Sequence, residues 1–281
     1  MPANSDKIIT TSIFDLFKTG PGPSSSHTIG PIKAGVDFSR RIKMLDCSIL
    51  AQAEGLRVRL FVSLSATGKG HGTDRAVIAG LMDNDPSTCP PTLLNDLLNI
   101  PQEKCVLDLG GKKINIGLKN IEYGAVNHNF PYNNTLIIYL LSEEYSFSNE
   151  KVVTLQDSID PLEKYILFSW EYYSIGGGFL QWKNWTAPRI VMPPHPYNNM
   201  AELLLQIKEK DLHLHRLLIQ NEMAISGLSE EKINAKLGSI INMMKDTAAR
   251  GVAVEGTLPG HIGSKKKSKK IKRTRRFSRN I

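Results

Sequence analysis

Cysteine is scarce in this chain: Cys47, Cys89 and Cys105 are the only three in 281 residues. They lie 42 and 16 positions apart with no C-x-x-C pairing. That excludes a disulfide scaffold and a cysteine-rich metal motif, and it points to a reducing, cytoplasmic compartment. Long apolar runs are missing as well. Nothing approaches the ~18 uninterrupted residues that cross a bilayer, and polar Met1 to Lys7 leads into no apolar core of a secretory signal. No membrane partner is expected. Acidic residues are absent from 265–279, a stretch holding ten Lys/Arg. Taking those ten from the 35 basic residues leaves 25 against 27 acidic, a net of −2. The overall +8 therefore belongs to one tail, and a global electrostatic footprint for nucleic acid is lacking.

What is present is enough for a folded protein. Hydrophobic residues make up 41% and charged residues 22%, so a core can form and the chain is not a disordered polymer. The length corresponds to about two average domains. Ile13, Phe14, Leu16 and Phe17 give Thr11 to Lys18 the apolar side of a short helix, with Thr11 or Ser12 as cap. Gly20 to Thr28 is too rich in Pro and Gly to be helical. A second helix begins near Pro31 and carries Ile32, Val36, Phe38 and Ile42.

Leu56 to Leu64 alternates cleanly and reads as a half-buried strand. It runs into the polar loop Thr67 to Asp74, and a helix follows through Ala76, Val77, Ile78, Leu81 and Met82. Residues 84–104 read as loop with a helical turn at Leu93 to Leu98. Short strands are expected at 105–109, 113–118, 134–141, 151–155 and 164–174. Beyond the connector Pro188 to Pro196, residues 199–226 and 229–250 are helical in character, the latter capped by Ser229. The fold class is α+β: a mixed sheet-and-helix domain followed by the start of an all-helical one.

Two polar loops each precede a helix, Pro23 to Thr28 and Gly68 to Asp74. Helix starts present free N–H groups and partial positive charge, which suit a carboxylate or phosphate. The bland alternative is a pair of ordinary caps and turns. Gly68-Lys69 is not a P-loop, because Ser63 stands where Gly is required and Gly70 where Ser/Thr is required. His71, between glycines at a strand-to-helix junction, is a natural proton carrier; a backbone-bonded loop histidine is the alternative, and His27 carries the same ambiguity. Gly176-Gly177-Gly178 reads as a tight turn or as a point of close backbone approach to a substrate or second domain. His213 and His215 alternate on a helical stretch and should point to different faces at the surface. The basic tail is compatible with a nucleic-acid arm, a localisation signal or a solvated tail.

Taken together, Ser12 to Lys18, Gly22 to Gly35 (GPSSSHTIGPIKAG), Ser65 to Asp74 (SATGKGHGTD) and Tyr172 to Phe179 (YYSIGGGF) resemble the iron–sulfur-dependent L-serine dehydratases, or L-serine ammonia-lyases. Gln220-Asn221-Glu222 and Glu255 to Gly260 fit the opening of that family's catalytic region. The resemblance covers roughly residues 8–262. It implies a β domain over 1–186 and the helical start of a catalytic α domain over 187–262; residues 263–281, beyond the resemblance, are expected to be a basic, disordered tail. It implies L-serine as substrate, converted to pyruvate and ammonia. It also implies a [4Fe–4S] cluster whose open iron acts as Lewis acid on the β-hydroxyl while a base takes the α-proton.

On the matched positions, His71 is the expected acid/base residue. Ser24, Ser25, Ser26, His27, Thr28, Gly70, Thr73, Asp74, Gly176 and Gly177 are expected to bind substrate. The family's cluster cysteines fall in the catalytic region, and none of Cys47, Cys89 and Cys105 matches them, so no metal ligand is expected here. The chain departs from the family after Phe130-Pro131, where Tyr132-Asn133-Asn134 replaces an expected His. It departs again after Gly260, where a Lys/Arg run replaces an Arg-rich helix; a shifted frame or early stop would produce such a tail. The expectation is thus a truncated enzyme. Its alternatives are a non-catalytic serine-binding module, or a β subunit needing a separate α chain; a homodimer is a further expected assembly, and a nucleic-acid partner is not expected.

Overall fold

The computed structural model describes residues 8–100, 105–143, 162–186 and 191–256. The expected strand at 151–155 and the basic tail lie outside them. The chain forms two compact units, Gly20–Trp185 and a unit joining the residues before 20 to those after 185.

The first unit is built on a five-stranded sheet. In chain order its elements are α2 (Gly30–Ile42), α3 (Cys47–Gln52), β1 (Gly55–Val62), α4 (Ser63–His71), α5 (Thr73–Leu81), α6 (Leu93–Asn99), β2 (Val106–Asp108), β3 (Lys113–Asn115), β4 (Ile121–Tyr123), β5 (Asn134–Leu141), β6 (Ile166–Ile175) and β7 (Phe179–Trp182). The sheet order is β4-β1-β5-β6-β7, and β2-β3 forms a separate ribbon. β1 runs parallel to β4, and the other pairings in the sheet are antiparallel. This is an α+β arrangement, as the mixture of strands and helices predicts.

Register follows the apolar pattern. Val58 faces Ile138 and Leu60 faces Leu136 across β1 and β5, and all four are fully buried with Ile32, Phe38, Ile42 and Tyr172. α2 and α5 lie backbone to backbone because glycines meet there. A Cβ on Gly80 would stand 2.0 Å from the Ile32 carbonyl oxygen, and one on Gly35 2.6 Å from Val77 O.

Two local expectations are corrected, and both bear on the site. Ser25–Ile29 is not excluded from helix: it forms a π-helical turn that runs into α2, with the Gly30 N–H donating to Ser25 O. The Pro and Gly density ends at Pro23, and the residues after it are free to wind. The strand also stops at Val62, two residues earlier than its alternation suggests. Ser63–His71 is a helix rather than strand end and loop. Gly68 and Gly70 each cost a helix only about 1 kcal/mol. Burial of Leu64 and packing of Gly68 against Thr73 offset that. The break comes at Gly72, in the left-handed conformation, which caps α5 in place of Thr73 or Asp74.

The second unit holds α1 (Ile13–Leu16), α7 (Met200–Lys210), α8 (Leu214–Ser226) and α9 (Glu230–Ala253). Ser12 caps α1 and Ser229 caps α9. Residues 8–19 lie in this unit. Glu222 on α8, 1% exposed, accepts from the Ser12 hydroxyl and the Ile13 N–H. On the same helix the Asn221 side chain accepts from the His195 N–H at 2.9 Å and donates to the His195 carbonyl at 2.8 Å. Gln220 Oε1 lies 2.6 Å from His195 Nε2. Gln220-Asn221-Glu222 thus clasps two extended segments onto one helix. His213 is the cap residue of α8, not an interior position. Its ring stacks on that of His215, with centroids 5.7 Å apart, so the two do not point to different faces.

Candidate active site

The π-turn, the start of α4 and the end of α4 converge on one imidazole. His27 is 8% exposed. Its Nδ1 lies 3.1 Å from the Ser26 hydroxyl and 3.5 Å from that of Ser24. Its Nε2 lies 2.9 Å from Thr67 Oγ1 and 3.3 Å from Ser63 Oγ. The ring of His71 packs beside it, centroids 4.7 Å apart and planes at 40°. His71 Nδ1 is 2.9 Å from the Thr67 carbonyl oxygen. A carbonyl only accepts, so Nδ1 of His71 carries a hydrogen, and the neutral ring has its lone pair on Nε2. Burial, helped by the neighbouring His71, holds the His27 imidazole below the ordinary histidine range, so at neutral pH His27 is uncharged.

Backbone constraints fix this cluster. The Thr28 hydroxyl donates to Ser24 O, and the Thr73 hydroxyl donates to the His27 carbonyl at 2.8 Å. The Ser174 hydroxyl donates to Ser26 O at 2.7 Å, and a Cβ on Gly30 would sit 1.8 Å from that hydroxyl. Gly178, at φ +72°, brings its backbone against Ser25 O, and Lys33 Nζ donates to the Gly178 carbonyl at 3.2 Å. On the other side Val62 enters α4 at φ 51°, ψ −118°, a strained conformation for a β-branched residue. That sharp turn sets Ser63 and Thr67 against His27.

The expected site residues therefore separate. Ser24, Ser26, His27 and His71 form one cluster, and half-buried Ser25 sits at the head of its turn with a hydroxyl that makes no hydrogen bond among the described residues. Thr28 and Thr73 are fully buried and bonded to backbone, so they hold the turn rather than face a ligand. Asp74 points elsewhere: it accepts from the Tyr123 hydroxyl at 3.0 Å and pairs with Arg75. Gly70 is exposed on α4 with open space where a Cβ would be. Gly176 and Gly177 are exposed in a 3-10 turn after β6, and Gly178 makes the close approach. His71 stands at the last turn of a helix, not in a loop. Sequence reasoning missed Thr67, Ser63 and Ser174. The spacing of Thr67 and His71, four apart, is a helical signal once α4 is admitted.

The cysteines do not fit an iron–sulfur cluster, which takes Cys thiolates, usually four. Cys47 is exposed, Cys89 Sγ faces the Pro86 carbonyl, and Cys105 lies in the sheet unit's core, where burial raises its thiol pKa. Among the described residues no group of three or more His, Cys, Asp or Glu is placed to hold a metal ion.

Residues 12–185 match the model of the serine dehydratase beta chain family. The chain is 30% identical over 265 residues to L-serine dehydratase 2 of Escherichia coli, covering 93% of this chain and 53% of that one. It is 32% identical over 270 residues to L-serine dehydratase 1 of Escherichia coli, covering 93% and 54%. It is 29% identical over 278 residues to the L-serine dehydratase of Haemophilus influenzae, covering 96% and 55%. The chain thus spans about half the length of the curated relatives it matches, and its sheet unit and adjoining residues belong to the serine dehydratase beta chain family.

Proposed function

We propose that this chain supplies the proton-handling half of an L-serine ammonia-lyase. The observation that carries the reading is the packing of His71, with its Nε2 lone pair, against a neutral His27 inside a ring of serine and threonine hydroxyls. His71 Nε2 takes the α-proton of L-serine. The hydroxyls of Ser24, Ser25 and Ser26 orient the substrate's carboxylate and ammonium groups. Loss of water leaves aminoacrylate, which takes up water and releases ammonia and pyruvate. An uncharged neighbour suits the step, because a second imidazolium at van der Waals range would oppose protonation of the base.

Hydroxide is a poor leaving group, and the cysteines here do not fit the family's cluster. The electrophile comes from a catalytic α region outside these residues. In the cytoplasm such a protein would turn serine into pyruvate for carbon metabolism. Calorimetric titration of the chain with L-serine, alongside anaerobic reconstitution with iron and sulfide, tests this. The expected result is serine binding that weakens in Ser25→Ala/Ser26→Ala, with no pyruvate from this chain alone. Absence of serine binding would overturn the site. A stable cluster absorbance with serine-dependent pyruvate from this chain alone would overturn the division of labour.

A further inference from the structure

Thr67 touches both histidines, and its two oxygens are not equivalent. Its carbonyl accepts from His71 Nδ1. Its hydroxyl lies 2.9 Å from the Ser63 carbonyl, one turn back on α4, and 2.9 Å from His27 Nε2. A hydroxyl has one proton, and a carbonyl oxygen can only accept. The Thr67 proton therefore goes to Ser63 O; otherwise two lone-pair oxygens would face each other at hydrogen-bond distance. The Thr67 oxygen is left to accept, so His27 Nε2 carries the hydrogen. Ser63 Oγ, at 3.3 Å, is a second acceptor for the same N–H. His27 Nδ1 then holds a lone pair and accepts from the Ser26 hydroxyl. Both nitrogens of His27 are spent within the protein.

We propose that Thr67 is a positioning residue that sets the tautomers of both histidines, Nε2–H on His27 through its hydroxyl and Nδ1–H on His71 through its carbonyl. Of the four ring nitrogens, one lone pair remains uncommitted, at His71 Nε2. His27 is thereby a neutral wall for His71 and not a ligand for substrate through its ring. The meaning of this for catalysis rests on the reading of His71 as the base; the tautomers themselves do not.

Long-range ¹H–¹⁵N spectra of the full chain labelled at histidine read the tautomers directly, with His27→Gln and His71→Gln assigning the signals. At neutral pH the wild type should show His27 as Nε2–H and His71 as Nδ1–H. Thr67→Ser should keep both patterns. Thr67→Val, isosteric but without an acceptor, should convert His27 to a mixture and leave His71 unchanged, since that bond is to backbone. A predominantly Nδ1–H His27 in the wild type, or a Thr67→Val spectrum identical to wild type, would overturn the proposal. Titrating L-serine into the same samples keeps the two readings apart: correct tautomers without a serine-induced shift at His71 would sink the functional reading alone.

Discussion

The carboxylate of Glu222 caps a helix start 209 residues away in sequence: it accepts from the Ile13 N–H at 2.8 Å and from the Ser12 hydroxyl at 2.6 Å. Glu222 is 1% exposed, so both donors satisfy a buried carboxyl group. Removing one partner of such a set costs about 1–3 kcal/mol. Glu222→Ala should lose that much in urea unfolding and expose the segment around Ser12 to proteolysis. Glu222→Gln keeps one acceptor and should lose less. Two variants within about 0.5 kcal/mol of wild type, the usual scale of an inert surface change, would show that the contact holds nothing.

Glycines separate into those the packing needs and those it does not. At Gly80 a Cβ would lie 2.0 Å from Ile32 O, and backbone cannot yield cheaply. Gly80→Ala should therefore destabilise by at least the ~1–3 kcal/mol of an overpacked core. Gly70 has open space around it in the interior of α4. Gly70→Ala should stabilise by about 0.5–1 kcal/mol. If Gly70 also lets substrate approach, that stable variant will bind L-serine more weakly, which calorimetry on the same protein can read.

Much of the sheet unit is legible in the sequence because one face of each element is apolar. The alternation of Leu56, Val58 and Leu60 marks β1, and Ile32, Phe38 and Ile42 mark α2. What is illegible depends on partners distant along the chain. α4 reads as a loop because Gly68 and Gly70 look like breakers, and only packing against Thr73 and burial of Leu64 show why they are tolerated. β4 is three residues long and is placed by its parallel pairing with β1. At the site, Ser24 to His27 announce themselves as a run of polar residues before a helix. Thr67 does not, since a hydroxyl on a helix has no signature until the imidazoles on either side of it are located.

Val62 offers a test of where strain is stored. Its φ of 51° and ψ of −118° lie in a region that glycine occupies freely and β-branched residues avoid. The conformation is held by the Val62 N–H on Ala125 O at 3.0 Å and the Ser63 N–H on Asn133 O at 2.8 Å. Val62→Ala and Val62→Gly both delete the isopropyl group, but only glycine relieves a strain of about 1–3 kcal/mol. Val62→Gly should be the more stable of the two in thermal unfolding, reversing the usual order for a strand. Alanine more stable than glycine would show that the turn is unstrained.

His27 should leave its mark on the pH dependence of stability. Burial, with the neighbouring His71, lowers its pKa in the folded chain, while the unfolded chain keeps the ordinary value near 6.5. Above that value both states hold the same neutral ring, and the contribution to stability is complete. As pH falls below it, the unfolded state takes up a proton that the folded state refuses. The unfolded state then binds more protons, so stability declines with falling pH until the folded ring also titrates. His27→Gln retains a donor for Thr67 Oγ1 and an acceptor for the Ser26 hydroxyl but cannot titrate. Urea-unfolding free energies measured from pH 7.5 down to about 5 should fall more steeply for wild type than for His27→Gln, the gap opening near the unfolded histidine value. The histidines outside this pair are common to both proteins and cancel in the difference. Parallel curves for the two proteins would mean that His27 titrates in the fold as it does in the unfolded chain, and that burial beside His71 does not hold it neutral.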